Sequence, residues 1–148
     1  MFKPEYIVVH HSLTADNVTL SDIEAIRKYH IETNGWSDIA YHFVVDSIKN
    51  TVEKSYTELL IGRPINIKGS HCIGYNHNSL GVCVIGNFDL VAPSEEILNV
   101  LVNRFIKPYM DVFYIPVANV KGHRELTGFD RTCPGSKFNL DDLRGRLQ

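Results

Sequence analysis

The sequence predicts a single α/β domain, with a central mixed β-sheet of about five or six strands flanked by about three α-helices. Three observations carry this expectation. Short, nearly all-apolar and β-branched runs at 6–10 and 80–86 have the pattern of strands buried on both faces of a sheet. Capped segments of helical periodicity alternate with them. The 148 residues, 44% hydrophobic and 22% charged, contain no repeat, low-complexity tract or Gly/Ser- or Pro-rich linker that would divide them. Residues 1–148 are therefore read as one domain.

The first strand, Tyr6-Ile7-Val8-Val9-His10, ends in a pair of histidines and a turn. Ser21-Asp22-Ile23-Glu24 has the form of a capping box and predicts a helix to about Thr33, with Ile23, Ile26, Tyr29 and His30 on one face. Asn34-Gly35 supplies a left-handed stop. Residues 40–46 and 51–53 read as two strands joined by a turn at Ser47-Ile48-Lys49-Asn50. From Gly62 to Asn78 the chain is rich in Gly, Asn, His and Ser with little periodicity, and so long a loop in a compact domain usually walls a functional site. A buried strand follows over 80–86. Ser94 then caps a helix whose Ile97, Leu98, Leu101, Val102, Phe105 and Ile106 form one stripe, ending before Pro108. Val117 to Lys121 reads as a last short strand, and Asn139-Leu140-Asp141-Asp142 opens a closing helix with its acids at the favourable end of the dipole.

Fifteen Lys and Arg against 17 Asp and Glu give a formal net charge of -2, without the basic excess that gripping a phosphate backbone demands, so no nucleic acid is expected as partner. Cys72, Cys83 and Cys133 are an odd number at irregular spacing, which points away from a disulfide framework and toward synthesis in a reducing compartment. No apolar segment is long enough to span a membrane, and no leader is expected at Met1.

Seven histidines are present. One alone is usually a surface or hydrogen-bonded core residue, but clustering changes that reading. His10 and His11 alternate across a strand, so only one of them can face a given site. His123 and Cys133 bracket a Gly-containing loop that closes with Cys133-Pro134-Gly135. Two imidazoles and a thiolate form the donor set of a zinc site that keeps a fourth position for water. Their spacing lacks a compact helical motif, so separate structural roles stand beside the metal reading. Cys72 and Cys83, flanked by aliphatic residues, read as small buried hydrophobes.

Five segments occur in an order that adds more than spacing does: Val8-Val9-His10-His11-Ser12-Leu13-Thr14; Gly35-Trp36-Ser37-Asp38-Ile39-Ala40-Tyr41-His42-Phe43; Gly69-Ser70-His71; Gly74-Tyr75-Asn76-His77-Asn78-Ser79-Leu80-Gly81-Val82; and Gly122-His123-Arg124-Glu125 through Cys133-Pro134-Gly135. From about residue 6 to 145 the chain resembles the type 2 N-acetylmuramoyl-L-alanine amidases. It closely resembles the small zinc amidase lysozymes of T-odd bacteriophages, and more distantly the peptidoglycan recognition proteins. The resemblance implies one Zn2+ per chain on His10, His123 and Cys133. It also implies an active-site Tyr41, whose phenol hydrogen-bonds the water at the metal or orients the scissile group. Arg131 departs from the pattern, standing where the phage enzymes carry Lys and the recognition proteins often Thr. Arg keeps a permanent cation and donates two hydrogen bonds to an oxyanion, but it is no proton donor near neutral pH. His71, Asn76, Asn78 and Trp36 are the residues the resemblance offers for holding glycan or stem peptide.

The implied activity is hydrolysis of the amide between N-acetylmuramic acid and L-alanine of peptidoglycan. A non-catalytic peptidoglycan-binding receptor and an amidase of soluble muropeptides are the alternatives. By the same analogy the chain acts as a monomer, made in a bacterial host cytoplasm without a signal peptide and let through to the wall by a holin.

Overall fold

A computed structural model of the chain describes residues 1–15, 22–49, 55–127 and 131–148. Five strands, β1 (Tyr6–His11), β2 (Phe43–Lys49), β3 (Ser55–Ile61), β4 (Ser79–Val84) and β5 (Val120–Gly122), form one mixed sheet in the order β3-β2-β4-β1-β5. β1 is parallel to both β4 and β5, β2 is parallel to β4, and β3 runs antiparallel to β2. The β-branched run of β1 thus occupies an interior position, where both faces are covered and both edges are paired.

The two faces are covered unequally. On one, Ile7, Val9, Val45, Leu80 and Val82 pack against the long helical stretch and the closing helix through Leu101, Phe105, Ile106, Leu140 and Leu143. On the other, among the described residues, Val44, Cys83 and Ile85 cluster with Ile23 and Ile39, with Ile26, Tyr41 and Leu60 at the margin. The second cover is essentially helix α1 (Ile23–Glu32) and the segment after it. Among the described residues this layer is thin, and the cavity at the carboxyl ends of the parallel strands opens on that side, where sites form in such sheets.

Several predicted boundaries shift. Ser21 lies outside the described residues; α1 starts after Asp22, whose side chain makes no cap bond. Tyr29 stands 58% exposed rather than in the apolar face. Gly35 holds the left-handed conformation expected of the stop, at φ +70°. Over 47–49 the predicted turn gives way to strand, because β2 continues to Lys49 and pairs Ser47 with Thr57 and Ile48 with Tyr56; Asn50 lies outside the described residues. Residues 51–53 lie outside the described residues, and the second strand is Ser55–Ile61. It is an edge strand paired with β2, and its Thr57 and Glu58 break the apolar pattern that marks the interior strands.

Ser94 caps α2 (Glu95–Val100), accepting from the Ile97 N–H at 3.2 Å. The helix does not end before Pro108. It passes through a π-helical segment, Leu101–Ile106, into α3 (Lys107–Phe113). The Lys107 N–H reaches back five residues to the Val102 carbonyl, so the ladder is already widened when the chain arrives at Pro108, which has no N–H to contribute. Val117–Asn119 is a 3-10 turn and only Val120–Gly122 is strand. Asn139 caps α4 (Leu140–Gly145), accepting from the Asp142 N–H at 2.9 Å.

Candidate metal centre

Strand register brings the site together. Val9 pairs with Gly122, so His10, next on β1, stands beside His123, next after β5. Alternation sends the two adjacent histidines apart, as expected. His10 faces the thin side, whereas His11 stacks on Phe88 and accepts the Phe88 N–H on Nδ1 at 3.2 Å.

Cys133 is delivered by a loop folded over Arg124. The Arg124 N–H donates to the Cys133 carbonyl at 2.8 Å, while its guanidinium reaches the carbonyls of Thr132, Gly135 and Phe138. Gly135, at φ +125°, lies where a Cβ would come 2.4 Å from the Phe88 carbonyl carbon, so only glycine fits the closure. Sequence reasoning quoted Arg124 within a motif without giving it this role. Its signal was an Arg directly after a candidate ligand and beside a Gly/Pro turn, where a planar fork of donors suits a cluster of carbonyls.

One ligand atom each from His10, His123 and Cys133 lie within 4.8 Å of one another. Cys133 Sγ is 3.8 Å from His10 Nδ1, and the two imidazole centroids are 4.6 Å apart. Tetrahedral ligation at ordinary zinc bond lengths sets donor separations of roughly 3.4–3.6 Å, so the set closes on an ion with small side-chain movements. His10 is only 2% exposed. Burial, then the His71 and His123 rings, holds its imidazole well below the usual range; burial and Arg131 lower His123. Both rings are therefore neutral near pH 7, as ligation requires. Burial pushes the Cys133 thiol up to about 11 in the metal-free protein.

A cavity of about 500 Å³ opens over this trio, lined also by Tyr41, His30, Trp36, His71 and Arg131. The Tyr41 ring lies 5.2 Å from that of His10. Burial raises its phenol well above the usual value. Arg131 sits exposed on the rim; Asp130 beside it lies outside the described residues. A second cavity of about 450 Å³ shares His30 and Tyr41 and is lined also by Ser12 and Tyr29.

Of the four residues offered for substrate, Trp36 and His71 line the cavity, but His71 is buried with both ring nitrogens engaged. Asn76 and Asn78 are not among the lining residues. The Asn76 carboxamide oxygen accepts the N–H groups of His71 and Cys72, closing the turn, and the Asn78 amide reaches Glu5. His30 was read only as part of a helix face. It lines the cavity, and its Nδ1 accepts the Ala40 N–H at 3.0 Å. The available signal was a polar residue set in an otherwise apolar stripe.

A family model described as N-acetylmuramoyl-L-alanine amidase matches residues 1–136. The endolysin of Enterobacteria phage T3 is 41% identical over 92 residues, covering 60% of this chain and 54% of that protein. For the Escherichia phage T7 endolysin the match covers 48% of that protein, so the chain spans about half the length of these curated relatives. Among solved structures, the N-acetylmuramoyl-L-alanine amidase LysC from Clostridium intestinale superposes with a TM-score of 0.78 at 25% identity, over 99% of this chain and 86% of that one. A point mutant of Drosophila PGRP-LB in complex with tracheal cytotoxin gives 0.76 at 25% identity, over 93% and 79%.

Proposed function

We infer the reaction from one premise, that this chain belongs to the N-acetylmuramoyl-L-alanine amidase family. It hydrolyses the amide that joins N-acetylmuramic acid to the L-alanine of the peptidoglycan stem, with one zinc ion per chain on His10, His123 and Cys133. The observation that carries this reading is the convergence of two neutral imidazoles and a thiol at the floor of an open cavity, with a protonated phenol and a guanidinium beside them. The donor set fits zinc in chemistry and spacing, and all three side chains line the cavity. Zinc bound there supplies a Lewis acid that makes water nucleophilic near neutral pH and polarises the scissile carbonyl.

The remaining work falls to the chain. Tyr41 stays protonated because it is buried, so its hydroxyl is a hydrogen-bond donor at any working pH and can hold the scissile group in line. Arg131 on the rim offers a fixed positive charge and two parallel donors to the oxygen that becomes negative as the tetrahedral centre forms. Trp36 supplies an aromatic wall for a sugar face, and the neighbouring cavity beside His30 and Tyr41 offers room for the stem peptide. Among the described residues no helix is long and apolar enough to cross a membrane. The reading takes the chain to the wall as a monomer, after passage allowed by a holin-type partner.

The experiment is metal analysis of purified protein combined with release of L-alanine amino groups from purified peptidoglycan, for wild type and Cys133→Ala. One zinc per chain and release that disappears in the variant support the amidase. Zinc without release from any wall preparation turns the reading toward a receptor or a soluble muropeptide substrate, which the same assay on fragments separates. Absence of zinc binding overturns the mechanism.

A further inference from the structure

His71 is packed against the metal-binding trio without belonging to it. Its Nδ1 lies 3.0 Å from Nε2 of His10, and its Nε2 lies 3.3 Å from Oγ of Ser79. A chain of hydrogen bonds fixes where each proton sits. The Tyr75 carbonyl can only accept, and Ser79 Oγ donates to it at 2.7 Å. A hydroxyl has one proton, so toward His71 the Ser79 oxygen accepts, and the hydrogen of the His71 ring is on Nε2. Nδ1 of that neutral ring is then a lone pair, which accepts from His10 Nε2–H. His10 is left with its own lone pair on Nδ1, the atom that stands 3.8 Å from Cys133 Sγ.

We propose that His71 is a positioning residue for His10, holding its proton on Nε2 and aiming Nδ1 at the metal alongside Cys133. The assignment rests on the reading of His10 as a zinc ligand and departs from a substrate-holding role for His71. Histidines that bind metals commonly donate their second N–H to a fixed acceptor, which sets both tautomer and ring orientation. Here the acceptor is an uncharged imidazole in place of a carboxylate, so it orients His10 without adding negative charge to the set.

The fold makes room for this ring in particular. A Cβ on Gly81 of β4 would fall 2.6 Å from Cγ and Cδ2 of His71, and one on Gly69 would fall 2.6 Å from Cδ2. Neither glycine has a positive φ, so the requirement at both is space and not backbone conformation. The imidazole lies between the two backbones, and the backbone N–H of His71 is tied to the Asn76 carboxamide oxygen at 2.8 Å. Held on these sides, it has little freedom to turn away from His10.

The test reads zinc affinity by chelator competition, and imidazole tautomers by long-range nitrogen-15 NMR of the zinc-loaded protein. In wild type, His10 is expected protonated on Nε2 with Nδ1 on the metal, and His71 protonated on Nε2. His71→Leu, which keeps bulk but has no acceptor, is expected to lose about 10- to 100-fold in zinc affinity. His71→Asn, whose side-chain oxygen falls near the position of Nδ1, should retain most of it. Gly81→Ala, which leaves every polar group in place but displaces the ring, should weaken zinc as His71→Leu does. Equal affinity in His71→Leu and His71→Asn, or a His10 proton on Nδ1, overturns the proposal. The wild-type spectrum decides even if His71→Leu does not fold. Wild type that binds no zinc overturns both this assignment and the zinc reading, whereas wild-type binding matched by His71→Leu overturns the role of His71 alone.

Discussion

The N–H of Arg124 donates to the carbonyl of Cys133 at 2.8 Å, so the residue after one candidate ligand holds the backbone of another. Its guanidinium also satisfies three carbonyls of the same loop, which ties the position of Cys133 to that of His123 through a single side chain. Arg124→Ala strands these acceptors and is expected to destabilise the fold by roughly 2–3 kcal/mol, the range for losing charged hydrogen bonds at a half-buried site. It should also weaken zinc binding. Arg124→Lys recovers only part of either, because an ammonium cannot span three carbonyls set around a planar fork. Urea denaturation of the metal-free protein and chelator competition read the two effects separately.

Arg131 stands at the rim of the same cavity and touches none of the three metal-binding side chains at hydrogen-bond distance among the contacts described. If its cation stabilises developing negative charge, Arg131→Ala lowers the rate by about 100- to 1,000-fold, the usual cost of removing one such donor. Zinc content should not change. Arg131→Lys should restore most of the rate, since the charge is kept although the parallel donors are lost. Turnover on purified peptidoglycan with parallel metal analysis checks both; a rate loss accompanied by zinc loss would assign Arg131 to the loop instead.

Zinc binding should release about one proton per chain at pH 7.5. Burial holds the Cys133 thiol protonated, up to about 11, in the metal-free protein, and only the thiolate is a ligand. His10 and His123 are both lowered from the usual value, so they are already neutral and contribute no proton at this pH. Apparent affinity therefore rises with pH from 7 toward 10, by close to tenfold per pH unit for a single released proton. Calorimetry in two buffers of different ionisation enthalpy counts the protons, and a count near zero would show the thiol to be ionised beforehand.

What could be read from the sequence followed from how local each signal is. The buried strand at 6–10, the Ser94 and Asn139 caps and the Gly35 stop each depend on a few neighbouring residues, and each stands in the structure. Pro108 signals a helix end in sequence, but the ladder is already widened over Leu101–Ile106, and nothing in the local sequence marks that widening. The edge strand Ser55–Ile61 was missed because its pattern depends on a neighbour on one side only. At the site, residue types and motif order marked His10, His123, Cys133 and Tyr41, and the sheet register brings them into one cavity. The roles of Asn76 and His71 were not legible, since a carboxamide closing a turn and an imidazole facing another imidazole look, in sequence, like free polar groups in a loop.

Tyr41→Phe separates binding from chemistry at this centre. The phenol ring packs 5.2 Å from the His10 ring, so removing one oxygen keeps the ring contacts and leaves no charge uncompensated. Phenylalanine of the same outline should fold normally and bind one zinc with unchanged affinity. The amidase rate should fall about a hundredfold, within the span seen when a positioned proton donor or oxyanion donor is lost. The loss should appear in kcat more than in KM, because the hydroxyl acts on the reacting group and not on the remote parts of the polymer. It should also be the same at pH 6 and pH 9: burial raises the phenol well above its ordinary value, so the wild-type hydroxyl remains protonated across that window. A deficit that grows steadily with pH would instead show that the tyrosine ionises during turnover and would assign it a proton-transfer role.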